Sequence, residues 1–69
     1  MDAPIHIVLN GAPREFPAPL TFAQLVDALA LEGRLAIERN GEIVPRSRFG
    51  EARLNDGDHI EVVVAVGGG

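Results

Sequence analysis

Asn-Gly occurs twice in this chain, at Asn10-Gly11 and Asn40-Gly41, each time between short runs of strand-forming residues. This dipeptide is the strongest short-range hairpin signal, so two hairpins are expected before any other element is placed. In the first, Ile5-His6-Ile7-Val8-Leu9 puts Ile5, Ile7 and Leu9 on one face, the period of a strand. Arg14 to Ala18 is the expected returning strand, with Phe16 inward and Pro13 and Pro17 flanking it, which predicts a short edge strand. In the second, Leu35 to Arg39 leads into the turn, Glu42-Ile43-Val44 returns, and Pro45 ends the pair. Arg46 to Arg53 has weak periodicity and reads as a loop with one 3₁₀ turn, Phe49 and Leu54 being tucked under the sheet.

Between the hairpins lies the one strong helical signal. Thr21-Phe22-Ala23-Gln24 fits a capping box, in which the Thr and Gln side chains satisfy backbone donors at the helix start. Phe22, Leu25, Val26 and Leu29 fall at i, i+3, i+4 and i+7, a single apolar face. Asp27 lies outside it. The helix is expected over Phe22 to Leu31, with Gly33 as its left-handed stop. Leu25 and Leu29 should pack against Ile7, Ile60 and Val62.

Asn55-Asp56-Gly57-Asp58 is a turn that leads into an apolar, β-branched run from His59 to Val66. Glu61 prefers solvent and so sets the register: Ile60, Val62 and Val64 face the helix, while His59, Val63 and Ala65 face outward with Glu61. The chain then closes on Gly67-Gly68-Gly69. Glycine supplies no packing and costs backbone entropy in a strand. These residues therefore read as a thin, mobile tail able to thread a narrow channel, or more plainly as a frayed terminus.

The resulting order is ββαβββ, an α+β fold in which one helix covers one face of a mixed sheet of four or five strands. The first and last strands are the most apolar and belong in the middle, lying parallel. This is the β-grasp arrangement of ubiquitin-like proteins, with a domain over residues 1–66 and a flexible glycine tail over 67–69.

Composition narrows the function. Sixty-nine residues make one domain near the lower limit for independent folding, burying roughly 60% of its unfolded surface. There is no cysteine, hence no disulfide, thiol nucleophile or thiolate metal site. No apolar run approaches the roughly 20 residues that span a bilayer, and no signal-peptide pattern opens the chain, so a soluble, cytoplasmic protein with no membrane partner is expected. A net charge of −4 argues against nucleic acid and for basic protein surfaces as partners. All six basic residues are arginine. Codon bias explains this most simply; the functional alternative is that a chain with an activated carboxyl end gains by lacking lysine amines.

Other chemistry finds little support. His6 and His59 are the only imidazoles, both expected on the open face, with only Glu61 near them, fewer ligands than a metal site needs. Asp56 and Asp58 resemble a fragment of a calcium loop without its later ligands, and turn chemistry explains them better. Ser47 and Thr21 have no matching base, and there is no phosphate loop of the type Gly-x-x-x-x-Gly-Lys-Ser/Thr.

The stretch Asn40-Gly41-Glu42-Ile43-Val44-Pro45-Arg46-Ser47-Arg48-Phe49, followed by Leu54-Asn55-Asp56-Gly57-Asp58 and the Gly-Gly end, resembles the small sulfur carrier proteins of thiamine biosynthesis, the ThiS family. The resemblance covers the whole chain, Thr21 to Leu29 matching the family's helix. Two terminal glycines are the family's minimum and this chain has three. The resemblance implies a carrier and not an enzyme. The Gly69 carboxylate would be adenylated by a partner enzyme that supplies ATP and Mg²⁺, no cofactor being bound by the carrier itself. Sulfur from a donor protein's persulfide would then displace AMP, leaving a thiocarboxylate that thiazole synthase uses to build the thiazole ring. Gly67 and Gly68 would thread the partners' channels, and the outward apolar residues Val8, Val63 and Ala65 would dock them. Two other readings stay open at this point: the sister carrier of molybdopterin synthesis, whose members tend to be longer with prolines before the tail, and a non-carrier ubiquitin-like interaction module.

Overall fold

The structure is a computed structural model and describes residues 3–64. It contains strands β1 (Ile5–Leu9), β2 (Ala12–Phe16), β3 (Leu35–Arg39), β4 (Glu42–Val44) and β5 (His59–Val64), helix α1 (Phe22–Ala28), and a 3₁₀ turn at Arg46–Arg48. The strands form one five-stranded sheet in the order β2-β1-β5-β3-β4. β1 and β5 are parallel at its centre and every other neighbour is antiparallel. This is the expected mixed sheet with five strands, covered on one face by one helix.

The core gathers Ile5, Ile7, Leu9 and Phe16 from the first hairpin, Ile60 from β5, and Phe22 and Leu25 from α1, all placed inward by the sequence patterns, together with Ile37 of β3. Leu20, Phe49 and Leu54 close it from the connections. The Phe22 and Phe49 rings stack with centroids 6.2 Å apart. The capping box forms as expected, Gln24 N–H donating to Thr21 Oγ1 at 3.1 Å and Thr21 N–H to Gln24 Oε1 at 2.8 Å. The two remaining donors of the first turn are met by the connection after β4: Phe22 N–H donates to the Ala52 carbonyl and Ala23 N–H to that of Phe49. Residues 46–54 are thereby bolted to the helix start, which carries Phe49 and Leu54 into the core.

Three expectations shift. β2 begins at Ala12, not Arg14, because both turn residues have positive φ (Asn10 49°, Gly11 82°), the two-residue hairpin geometry that sets Ala12 opposite Leu9 at once. Pro13 is then inside the strand, opposite Val8. Val8 N–H points away, to the Asp58 carbonyl at 3.0 Å, so Pro13 occupies a position whose N–H this ladder does not use. The helix stops at Ala28, and its left-handed stop is Ala30 (φ 53°) instead of Gly33. Ala30 N–H donates to the Asp27 carbonyl and Leu31 N–H to that of Val26, the two bonds of a Schellman ending. Leu29, expected in the core, is the cap residue and only half-buried. Finally, Val64 is 38% exposed although its register puts it on the helix side, opposite Leu35. A seven-residue helix spans only about 10 Å, while the six residues of β5 span about 20 Å. The far end of β5 therefore runs out from under α1.

Candidate docking surface

The uncovered face of the sheet follows from the same alternation. β1 places His6 and Val8 there, β5 places His59, Glu61 and Val63, β3 places Ala36 and Glu38, and β4 places Ile43. Val63 is 60% and Ile43 62% exposed, the two most exposed large apolar side chains of the described residues. Val8 is half-buried. Val8 and Val63 share the open face as expected but do not form one patch. Val8 lies beside His59, and Val63 is four residues further along β5, about 13 Å away along the strand. There β1 has ended and the neighbour of Val63 is Ala36 on β3. Ala65 and the tail residues Gly67, Gly68 and Gly69 lie outside the described residues, as does the expected last part of the strand to Val66.

Sequence reasoning missed Ile43. Glu42-Ile43-Val44 has two adjacent apolar residues, one of which must face outward in a strand. Ile37 pairs with Val44 on the core side, which leaves Ile43 opposite Glu38 on the open face.

β5 is positioned by three polar anchors. Asp58, at its head, is buried, its side chain 8% exposed. Arg39 Nε donates to its Oδ2 at 3.2 Å, Asn55 N–H donates to the same oxygen at 2.8 Å, and Asn40 Nδ2 donates to its Oδ1 at 3.2 Å. The Arg39 guanidinium also lies 4.9 Å from the Phe22 ring centroid and donates to the Arg53 carbonyl. Asn40 accepts His59 N–H at 2.8 Å, and Asn10 accepts Val62 N–H at 2.8 Å. Asp56, by contrast, is exposed. Its Oδ1 accepts His6 N–H at 2.7 Å and lies 3.3 Å from His6 Nδ1. The backbone bond first, then the side-chain contact, holds its carboxyl below the usual carboxylate range. His6 Nε2 is 2.9 Å from Glu15. His6 and His59 are both exposed, and among the described residues no group of three or more His, Cys, Asp or Glu side chains converges as a metal site would.

Residues 7–69 match the ThiS family. The chain belongs to the ThiS family.

One solved relative, a crystal structure of the thiamine biosynthesis protein ThiS from Geobacter metallireducens, superposes with a TM-score of 0.78 at 29% identity, covering 94% of this chain and all of that one. The sulfur carrier protein ThiS of Bacillus subtilis is 44% identical over 50 residues, 71% of this chain and 76% of the relative. A thiazole synthase of Paramagnetospirillum magneticum is 44% identical over 66 residues, 94% of this chain. This ThiS-family chain spans only 20% of that synthase's length. No helix among the described residues is long and apolar enough to cross a membrane.

Proposed function

We propose that this ThiS-family protein is a sulfur carrier of thiamine biosynthesis, a protein substrate and not an enzyme. The observation that carries the proposal is the family match from residue 7 through the glycine tail, on a sheet whose central strand β5 runs toward that tail. The relatives named ThiS and thiazole synthase support the thiamine pathway over the sister carrier of molybdopterin synthesis. A carboxylate is a poor acyl donor because oxide is a poor leaving group, and an adenylate supplies a good one. In this reading a partner adenylating enzyme brings ATP and Mg²⁺ to the Gly69 carboxylate in the cytoplasm. The outer sulfur of a donor persulfide displaces AMP to give an acyl disulfide. A second thiol takes the donor's sulfur into a new disulfide and so frees the thiocarboxylate, and the thiocarboxylate passes its sulfur to thiazole synthase. Val8, Val63 and Ala65 belong to the docking face, and Gly67 and Gly68 to the threaded segment.

The test is mass spectrometry of the protein after incubation with the adenylating enzyme, ATP and a sulfur donor; one oxygen of the terminal carboxylate should be exchanged for sulfur. Deleting Gly69 sharpens it. Each extended residue spans about 3.3–3.6 Å, more than an in-line attack on the α-phosphate tolerates. The deletion variant should fold and bind but lose ATP–pyrophosphate exchange. Normal exchange by that variant would show that the tail has slack.

A further inference from the structure

Glu38 on β3 and Glu61 on β5 stand directly opposite each other on the open face. Residues so paired have Cβ atoms about 4.5–5.5 Å apart, and like charges there weaken the sheet. The ion pairs among the described residues join His6 to Glu15 and Asp56, Arg39 to Asp58, and Arg48 to Glu51. Neither glutamate takes part. The pair is framed by exposed apolar groups: Ile43 stands next to Glu38 on β4, and the cross-strand couple Ala36–Val63 occupies the next step of the same face. The domain thus keeps two glutamates opposite each other on β3 and β5, inside an apolar frame, a pairing that like charges disfavour.

We propose that Glu38 and Glu61 together seat an arginine of thiazole synthase, whose apolar neighbours rest on Ile43, Ala36 and Val63. The identity of the partner rests on the carrier reading above; the chemistry rests on the strand register. A guanidinium suits the site for three reasons. Its planar fork can donate to two carboxylates at once. It is weakly hydrated, so an apolar rim does not oppose its entry. It also cancels a repulsion already present in the free carrier. The net charge of −4 adds attraction at longer range. A bare divalent cation fits poorly, since no third ligand converges among the described residues.

This predicts opposite effects on folding and on binding, which a residue with only a structural role would not give. Glu38→Gln and Glu61→Gln should each raise Tm by about 1–5 °C by removing the repulsion. Each should also weaken binding to purified thiazole synthase from the same genome by about tenfold and flatten its salt dependence. Ile43→Ala should weaken binding without changing the salt slope. Titration calorimetry at low and high salt, beside thermal melts, reads all of these. Unchanged affinity in both Gln variants overturns the proposal, and so does a fall in Tm. Loss confined to adenylation, with synthase binding intact, assigns the seat to another partner and overturns it too. Thiocarboxylate formation is assayed in parallel: a wild-type carrier that is thiolated but does not bind the synthase refutes this seat and leaves the carrier reading standing, whereas a carrier that binds as described but is never thiolated does the reverse.

Discussion

At the β1–β2 turn, Asn10 has φ 49° and Gly11 φ 82°; at the β3–β4 turn, Asn40 has φ 49° and Gly41 φ 87°. The dipeptide, the backbone and even the task coincide, since each asparagine reaches across to β5. Asn40 bonds His59 at the head of β5, in line with the antiparallel ladder from β3, and its amide also donates to buried Asp58. Asn10 stands where the parallel strand β1 has ended. Its backbone N–H donates to the Ile60 carbonyl, its side chain accepts Val62 N–H, and its own amide lies 3.4 Å from the Val62 carbonyl, both side-chain contacts being exposed to solvent. The turn of residues 55–58 repeats the contrast. It grips β1 through exposed Asp56 and β3 through buried Asp58. One local signal therefore yields two attachments of different strength, and the difference is set by what lies beneath each turn and not by the turn itself.

The strongest way to break this asymmetry is Asp58→Ala. It removes three hydrogen bonds and strands Arg39 over the Phe22 ring. Breaking a buried pair costs 3–5 kcal/mol; because the Arg39 side chain is 28% exposed and can recruit water, we expect about 2–4 kcal/mol in urea unfolding. A loss below about 1 kcal/mol would remove the claim that the β3 side is the tighter one. A finer cut compares Asn40→Gly with Asn10→Gly, since glycine keeps the positive φ and deletes only the side chain. Asn40→Gly should cost about 1–2 kcal/mol and Asn10→Gly about 0.5–1 kcal/mol. Hydrogen exchange should quicken at the His59 amide in the first and at the Val62 amide in the second. Equal costs would mean that burial beneath the turn is irrelevant. The smallest effect belongs to Asp56. Its carboxyl is held below the ordinary value of 3.8, so its contribution is present above about pH 4 and fades as pH falls through the folded-state value. Asp56→Asn, which keeps an acceptor for His6 N–H but no charge, should flatten the acid limb of stability below about pH 4. An unchanged limb would show that the β1-side contact is electrostatically idle.

How much of this was legible in the sequence follows from range. Both hairpin turns, the capping box and the inward set Ile60–Val62 are local patterns, and each stands as read. The helix end was misplaced because a Schellman ending usually carries glycine, so Gly33 drew attention that belonged to Ala30. β2 was placed two residues late because Pro13 looked like a boundary, whereas an edge strand accommodates proline wherever the ladder leaves the N–H unused. The Arg39–Asp58 pair and the opposition of Glu38 and Glu61 join residues 19 and 23 positions apart (58 minus 39, 61 minus 38). Neither is visible until the register between β3 and β5 is known. The open face was legible as a face but not as a patch, because the stagger of β1 against β5 separates Val8 from Val63.

β5 comes last among the described strands, yet it occupies the middle of the sheet, between β1 and β3. Neither hairpin touches the other through the sheet without it. During synthesis, a chain that has emerged only as far as the 55–58 turn offers two hairpins, each marginal alone in water, and a helix with half a floor to rest on. The decisive contacts join residues about fifty positions apart, and such distant pairings form slowly. The domain therefore assembles in one late step, when residues 59–64 slot between strands already waiting for them.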